Sequence, residues 1–562
     1  MDRRPDIIIF NPDQMRADAL GHLGNPAAIT PNLDRFAQRD AVSFRNAFCQ
    51  NPVCVPSRCS FATGLYPHVR GHRTMQYLLR EGEPSLFSEL KDAGYYVWMN
   101  ARNDLVAGQI PGLLEQHASE IFYGGDAPAA PGPEQPDPRG KPGDKNYYSF
   151  YRGKLKKDRD GRNYSSDDEA VDGAAKRILS FHSDRPLCLF LGLMAPHPPY
   201  AVEDPYFSAV DRTKLPPRAR VLPEAGKPPM EERLREYMAL GRYTERDWTE
   251  LRACYLGMCI KVDEQFQKIC DALKAAGRYD NAAIFFFSDH GDYTGDFDLP
   301  EKAQNTFENC LTNVPLLIKP PKGVPVDPGV TESVAELVDF YATAMDFAQV
   351  SSSHDSFGKS LRTILADRSI QIKQYAFCEG GRMPYERQCD EYHAYGGDPS
   401  DRTREYWPRQ QAQLDSDAHE KGTMICDGHY KYVLRTGGRD EFYNLKEDPK
   451  EERNQIDRLE YRPIAEKMRS AMLLWYQSTC DLVPRNYDKR FSDEMIWHRV
   501  KNICPPQHEQ AVKEKIKEGA VLWRSLPSAG HSAADRRRPC FPVIYVCVFT
   551  VIPDLHYRRK SC

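Results

Sequence analysis

Four runs of apolar residues, each closed by polar residues, most constrain how this chain can fold. These runs cover residues 7–10, 187–194, 282–287 and 314–319. Continuous apolar runs of this length are typical of strands that are buried on both faces. Amphipathic patterns lie between them, at residues 251–276 with Gly277 as a stop, and at residues 334–347. This alternation predicts an α/β fold, in which helices flank a mostly parallel sheet.

The length of 562 residues is enough for one large α/β domain and a smaller one. Near residue 377 the pattern changes to short strand-like segments, at residues 423–426 and 430–434. We therefore predict a main domain over residues 1–375 and a smaller C-terminal α+β subdomain, with an antiparallel sheet, over residues 376–480. Residues 481–562 are predicted to be a C-terminal extension that is partly disordered from about residue 519.

Charge and cysteine content exclude several classes of function. Acidic and basic residues nearly balance, at a net charge of −4, which argues against nucleic-acid binding or electrostatic attachment to a membrane. Sixteen cysteines are scattered through a long chain, so we interpret them as mostly reduced. The apolar run 541–552 is too short to span a bilayer. The first residues lack a secretory apolar segment, and we expect a cytoplasmic protein.

Three polar or proline-rich stretches, at residues 127–143, 214–229 and 385–417, are interpreted as insertions or linkers. The first and the third are hypothesised to overhang the strand ends and to shape a pocket there.

Polar pairs follow the predicted strands. Asp13 and Gln14 follow the first strand, Asp289 and His290 follow the run 282–287, and His197 follows the run 187–194. The carboxyl ends of parallel strands meet at one edge of a sheet, so these side chains are expected to converge there. Carboxylate and amide oxygens suit Ca²⁺ or Mg²⁺, and a histidine leaves Mn²⁺ or Zn²⁺ open. Either pair could instead only form a turn or cap a helix.

A cysteine motif gives these pairs a context. Cys54-Val55-Pro56-Ser57-Arg58, followed by Thr63-Gly64, resembles the signature of the formylglycine-dependent sulfatases, in the alkaline phosphatase superfamily. Further segments match the family in order: residues 13–14, 30–34 (TPNLD), 289–291, 314–318 (VPLLI) and 443–454. The resemblance covers roughly residues 5–460 and implies an alkaline-phosphatase-like fold, with residues 1–375 as the catalytic domain.

The resemblance implies a reaction. Cys54 would be oxidised to formylglycine by a formylglycine-generating or radical maturase, and one hydroxyl of the hydrated aldehyde would attack the sulfur of a sulfate ester. The second hydroxyl would then expel sulfate. One divalent cation, most simply Ca²⁺ with Mg²⁺ or Mn²⁺ as alternatives, would be held by Asp13, Gln14, Cys54, Asp289 and His290. Arg58 would hold the hydrate. The alternative for Cys54 is an inert buried thiol, as we interpret Cys59.

Four further residues are expected to contact the substrate. His197 matches the family histidine that contacts sulfate and can protonate the leaving oxygen, although a turn histidine is the alternative. Lys302 lies where the family places a sulfate-binding lysine, although a solvated surface lysine is the alternative. Arg102 and Asp104 occupy the positions at which many members carry lysine and histidine. Arg102 can replace the lysine as a bidentate donor.

Two departures from the family pattern keep the substrate open. A carboxylate at Asp104 would repel an anion unless it pairs with Arg102 or faces a cationic or hydroxyl group. Gln14 replaces a common aspartate and lowers the ligand charge by one. We predict a sulfuric ester hydrolase acting on a small-molecule or carbohydrate sulfate ester. The alternatives are a phosphonate monoester or phosphodiester hydrolase with the same site, since those relatives also use an Asp-Gln pair, and a non-catalytic binder of anionic ligands with Cys54 unmodified.

Overall fold

A computed structural model describes residues 4–125, 133–134, 136–157, 163–223, 225–386, 398, 400–484 and 490–517. By contact density the chain divides into two compact units, Met1–Val483 and Pro484–Cys562. The predicted disorder from residue 519 and the apolar run 541–552 lie outside the described residues, as do parts of the insertions 127–143 and 385–417. Among the described residues, no helix is both long and apolar enough to cross a lipid bilayer.

Eight of the described strands form a central sheet. In chain order they are β1 Asp6–Asp13, β2 Val42–Phe48, β3 Tyr96–Asn100, β4 Glu120–Phe122, β6 Leu187–Pro196, β8 Ala282–Phe287, β9 Leu316–Lys319 and β10 Gly329–Glu336. Across the sheet they lie in the order β10-β2-β9-β8-β1-β6-β3-β4. Strand β9 is antiparallel to both of its neighbours, and the other pairs are parallel. Two short strands, β5 Tyr151–Lys154 and β7 Tyr200–Val202, pair separately.

Helices of the first unit cover both faces of this sheet. In chain order the described α-helices are α1 Pro31–Arg39, α2 Cys54–Thr63, α3 Pro67–Arg70, α4 Leu86–Asp92, α5 Leu113–His117, α6 Ser166–Ser180, α7 Tyr206–Ala209, α8 Pro229–Met238, α9 Glu245–Ala275, α10 Asn309–Thr312, α11 Leu337–Ala348, α12 Arg362–Ala366, α13 Trp407–Leu414, α14 Arg462–Thr479, α15 Asp493–Val500 and α16 Glu509–Lys517. The last two belong to the second unit, where they share a small apolar core.

The apolar runs are continuous because each central strand is buried on both faces. In β8, Phe286 faces the core that α9 covers, and its neighbours Phe285 and Phe287 face the core that α11 covers. The ring of Phe266 in α9 packs edge-on against Phe286, with 5.3 Å between the ring centroids. Phe340 of α11 packs against Phe285 with 4.9 Å between the ring centroids. Alternate residues of a strand point to opposite faces, so both faces of the sheet require apolar side chains.

A smaller antiparallel sheet follows the central one. Its strands are β11 Ala376–Gly380, β12 Gly422–Cys426, β13 Tyr430–Arg435 and β14 Glu441–Asn444, paired in chain order. The predicted fold class is therefore confirmed: a mostly parallel sheet flanked by helices, followed by a small C-terminal antiparallel sheet. The domain boundaries at residues 375 and 480 stay a prediction.

Two predicted elements begin later than expected. Residues 334–336 lie in β10 rather than in a helix, because Glu336 and Asp339 form a capping box at the start of α11. The strand predicted from residue 314 begins at Leu316, since Pro315 has no N–H group for the ladder. The end of the long helix lies within one residue of the prediction. Helix α9 ends at Ala275, and Gly277, the predicted stop, has a φ of +65°.

Candidate active site

Four predicted ligands meet at the carboxyl ends of β1 and β8. Asp13, Cys54, Asp289 and His290 each offer one ligand atom, and these four atoms lie within 4.8 Å of one another. All four residues are buried. Asp13 is the last residue of β1 and Asp289 follows β8 by two positions, so the parallel pairing of the two strands brings their ends together.

The donor set fits a hard or borderline divalent cation. His290 places Nδ1 2.8 Å from the carbonyl oxygen of Gly291, which can only accept a hydrogen bond. The neutral ring therefore carries its proton on Nδ1, and its Nε2 lone pair faces Cys54 Sγ at 3.2 Å and Asp13 Oδ1 at 3.7 Å. Burial lowers the pKa of His290, which also favours the neutral ring. Two carboxylates and this imidazole are ligands that Ca²⁺, Mg²⁺ or Mn²⁺ accept.

Cys54 is the first residue of α2, a helix whose ten residues are all buried. The side chain therefore lies at the positive end of a helix dipole, in a place where negative charge is stabilised. Its Sγ lies 3.7 Å from Asp13 Oδ1. Burial raises the pKa of the Cys54 thiol well above its usual value, and the Asp13 carboxylate raises it further. An unmodified Cys54 is accordingly a neutral thiol rather than a thiolate.

Two arginines hold the carboxylates of the cluster. Arg58 is fully buried and donates from Nε to Asp289 Oδ2 at 2.8 Å, and from one terminal nitrogen to Asp13 Oδ2 at 2.9 Å. Arg102 donates to the same Asp13 oxygen at 2.7 Å and to the carbonyl oxygen of Leu193 at 3.0 Å. Burial raises the pKa of Asp13, but the two guanidinium groups outweigh it and hold the pKa well below its usual range. Asp13 is therefore ionised.

Asp104 lies at the rim of the cluster. Its side chain is 37 % exposed, and its Oδ2 lies 3.9 Å from Arg58 Nε and 3.8 Å from a terminal nitrogen of Arg102. At these distances the carboxylate forms ion pairs with the two guanidinium groups but no hydrogen bonds. The two arginines thus offset only part of the negative charge of Asp104, and the carboxylate is accessible from solvent.

A second group of polar side chains surrounds Lys302. Its buried Nζ donates to Glu301 Oε1 at 2.6 Å and to Gln14 Oε1 at 2.8 Å, and lies 3.0 Å from His197 Nε2. His197 Nδ1 lies 2.6 Å from the carbonyl oxygen of Pro198, so Nδ1 carries a proton and Nε2 accepts from Lys302. Lys302 is therefore not the solvated surface lysine that the sequence left open.

The structure brings every predicted site residue into one connected network, while their roles stay predictions. It adds residues to which the sequence assigned no role. Asp292 accepts from Gln14 Nε2 at 2.6 Å and from the Tyr200 hydroxyl at 2.8 Å, and Arg409 donates to Glu301 Oε2 at 2.7 Å. Asp292 lies three positions after Asp289, in the polar segment that follows β8, so its place in the sequence could have indicated a role in the site. Arg409 lies in a polar insertion that carries no such signal.

Four of the ten described residues, other than glycine, that have a positive φ lie in or beside this network. Residues other than glycine with positive φ include Gln14 at 65°, Asp104 at 49°, Thr294 at 47° and Glu301 at 66°. Such conformations are unfavourable for residues with a Cβ and persist where surrounding contacts impose them, most often at functional sites. Strain at Gln14, Asp104 and Glu301, which belong to the network itself, supports a functional interpretation of these loops.

Comparison with known proteins decides the family. The family model described as Sulfatase matches residues 5–350, which is more than half of the chain. The chain belongs to the sulfatase family. The predicted resemblance, and the prediction of an enzyme of the sulfuric ester hydrolase class, are thereby confirmed.

Individual relatives are distant but extend over much of this sulfatase. An arylsulfatase of Clostridium perfringens is 23% identical over 84% of this chain and 94% of its own length. A choline-sulfatase of Rhizobium meliloti is 28% identical over 62% of this chain and 68% of its own length. The solved phosphonate monoester hydrolase of Agrobacterium radiobacter superposes with a TM-score of 0.64 at 21% identity, over 87% of this chain and 98% of its own. At that identity, the last match supports the fold alone.

Proposed function

We propose that this sulfatase hydrolyses an organic sulfate ester to an alcohol and inorganic sulfate, with a formylglycine derived from Cys54 and one divalent cation. The observation that carries the proposal is the position of Cys54 Sγ, within 4.8 Å of ligand atoms from Asp13, Asp289 and His290. A nucleophile at this position would lie between two carboxylate loop ends, beside the buried guanidinium of Arg58.

The cation would be held by Asp13, Gln14, Asp289 and His290 and by the residue formed from Cys54, and Ca²⁺ fits this oxygen-rich set best. Bound there, it would polarise the sulfuryl oxygens and favour ionisation of the nucleophile. The hydrated aldehyde would supply the attacking oxygen and, through its second hydroxyl, a route to release sulfate. Arg58 would keep both carboxylates in place, because it bridges Asp13 and Asp289.

His197 and Lys302 would bind the sulfuryl group and supply a proton to the leaving oxygen. Lys302 Nζ donates to His197 Nε2 at 3.0 Å, so the ammonium group would be the source of a proton for this histidine and for the leaving oxygen. Glu301 and Gln14 occupy the other sides of the ammonium group, so its position is set before a substrate binds. Such preorganised positive charge stabilises an anionic transition state.

Paired substrates test the reaction type. Against a sulfate ester, a phosphodiester and a phosphonate monoester with the same leaving group, kcat/KM of the matured enzyme should be highest for the sulfate ester, by about tenfold or more. Steady-state kinetics on protein whose formylglycine content has been measured gives the comparison. A preference for the phosphonate monoester would overturn the sulfatase assignment.

Hydrolysis of a phosphonate monoester or phosphodiester is the alternative function, and one specific observation favours it. The chain keeps Gln14 and lacks the lysine and histidine that many sulfatases carry at the positions of Arg102 and Asp104. A phosphonate monoester or phosphodiester hydrolase would use the same cluster on a phosphorus ester. The likeness of fold to a solved phosphonate monoester hydrolase agrees with this alternative without deciding it.

Asp104 provides a separate prediction about substrate charge. Asp104→Asn should lower KM for a simple aryl sulfate, by about two- to fivefold, because it removes a partly exposed carboxylate that repels the anion. The effect should shrink as salt concentration rises. Kinetics at two ionic strengths measures both changes. A rise in KM instead would mean that Asp104 contacts a hydroxyl or cationic group of the substrate.

Substrate, maturation and location complete the proposal. We propose a small-molecule or carbohydrate sulfate ester as the substrate, since the named sulfatase relatives act on aryl and choline sulfates. Maturation would require a formylglycine-generating enzyme or a radical maturase. The cytoplasmic location stays a prediction.

A further inference from the structure

Asp292 is a fully buried carboxylate whose two oxygens have different partners. Oδ1 accepts from the Thr294 backbone N–H at 2.5 Å and from the Thr294 hydroxyl at 2.8 Å. Oδ2 accepts from Gln14 Nε2 at 2.6 Å, and the Tyr200 hydroxyl lies between the two oxygens, at 2.8 and 2.9 Å. Asp292 therefore holds the side chain of a predicted metal ligand without being part of the four-residue cluster.

The Gln14 amide lies between a carboxylate and an ammonium group. Its Nε2 faces Asp292, which can only accept, and its Oε1 faces Lys302 Nζ at 2.8 Å, which can only donate. Only one orientation of the amide satisfies both partners. A rotation by 180° would place an N–H₂ group against the ammonium group and an oxygen against a carboxylate.

The backbone of Gln14 is held independently of Asp292. Its N–H donates to Asp289 Oδ1 at 3.1 Å, and its carbonyl oxygen accepts from the Tyr255 hydroxyl at 2.9 Å. These contacts hold the residue at its positive φ of 65°. A change at Asp292 should thus alter the orientation of the amide and leave the position of the residue in place.

We propose that Asp292 is a positioning residue, which orients the Gln14 amide so that its carbonyl oxygen, on the side of Lys302, is the atom available to bind the cation. The inference rests on the proposed function, because it requires that Gln14 assist in holding the cation. Outer-shell partners of this kind typically change metal affinity by about 10- to 100-fold when they are replaced.

Asp292→Asn should reverse the amide. Thr294 donates to Oδ1, so the new amide keeps its oxygen there and turns its N–H₂ group towards Gln14 Nε2. Two donors then face each other, and the Gln14 amide must rotate or lose this bond. We expect the dissociation constant for Ca²⁺ or Mn²⁺ to rise about 10-fold or more, measured by calorimetric titration of metal-depleted full-length protein.

A second variant distinguishes orientation from general damage. When Gln14→Glu is combined with Asp292→Asn, the carboxylate introduced at position 14 can accept from both the amide introduced at position 292 and Lys302, which restores an oxygen at the place of the Gln14 carbonyl oxygen. The double variant should bind the cation about tenfold or more tightly than Asp292→Asn alone, a larger gain than Gln14→Glu gives in the wild-type background, where the new carboxylate faces the Asp292 carboxylate. If Asp292→Asn folds poorly, Tyr200→Phe tests the same link, since it removes one donor to Asp292, and a weaker loss of affinity is expected.

Asp263→Asn is a matched control. Asp263 is also fully buried, accepts from the Asn32 and Leu33 backbone N–H groups, and has a pKa that burial raises to about 6, as burial does for Asp292. The Asp263→Asn substitution should leave the affinity for Ca²⁺ or Mn²⁺ unchanged. Equal affinity in wild type and Asp292→Asn, or no recovery in the double variant, would overturn the inference. A wild-type protein that binds no divalent cation would overturn the proposed function itself.

Discussion

Replacing Cys54 with alanine should lower kcat by roughly 10⁴-fold or more, because it removes the proposed nucleophile from the centre of the cluster. The thermal unfolding midpoint should change by only a few degrees, since the side chain is small. Steady-state kinetics and calorimetry measure the two effects. Substantial residual turnover would contradict the assignment of the nucleophile.

Cys59→Ala is the control for this variant. Cys59 lies on the same buried helix and packs in the apolar core, outside the cluster. The Cys59→Ala variant should be somewhat less stable than the wild type and should keep its turnover. Mass spectrometry of the tryptic peptide 46–58 adds a direct check, because an aldehyde in place of the Cys54 thiol changes the peptide mass. A fully unmodified thiol in protein from its native host would favour the non-catalytic anion binder.

Asp289→Asn should lower turnover by about 10³-fold or more and should also weaken binding of the divalent cation. The substitution removes one negative charge from the cluster and places an N–H₂ group among three donors. These are Arg58 Nε at 2.8 Å and the backbone N–H groups of Gln14 and His290 at 3.1 and 3.0 Å. Kinetics at saturating cation, together with titration of metal-depleted protein, separates the two losses.

Asp6→Asn provides the matched comparison. Asp6 is a buried carboxylate at the other end of β1, where it accepts from the Leu187 backbone N–H at 2.8 Å and pairs with Arg278 at 2.9 Å. It should lower stability without changing cation affinity. If Asp289→Asn retained both wild-type affinity and turnover, the cation would have to bind elsewhere.

The strands and their polar ends could be predicted from local pattern. The runs at residues 7–10, 187–194 and 282–287 lie within strands of the central sheet because burial on both faces requires unbroken apolar sequence. Asp13 and Asp289 then converge because parallel strands end at one edge. The start of α11 was missed because the apolar side chains of Val334 and Ala335 are compatible with either element.

Other features of the site could not be predicted in this way. Arg409 reaches Glu301 from an insertion more than a hundred residues further along the chain, and no periodicity encodes that contact. The burial of Lys302 likewise follows from the loops around it, while its own sequence context is polar. Long-range pairing of polar groups depends on where the folded backbone places them.

The sequence by itself determined the α/β class, the residues that end the central strands and the cysteine motif that indicates the family. Only the tertiary structure decided which of these polar groups face one another: Arg58 bridging Asp13 and Asp289, and Lys302 lying between Gln14, Glu301 and His197. The reason is physical. Strand formation follows from the apolar character of neighbouring residues, whereas a buried hydrogen bond requires a donor and an acceptor that distant segments bring within about 3 Å.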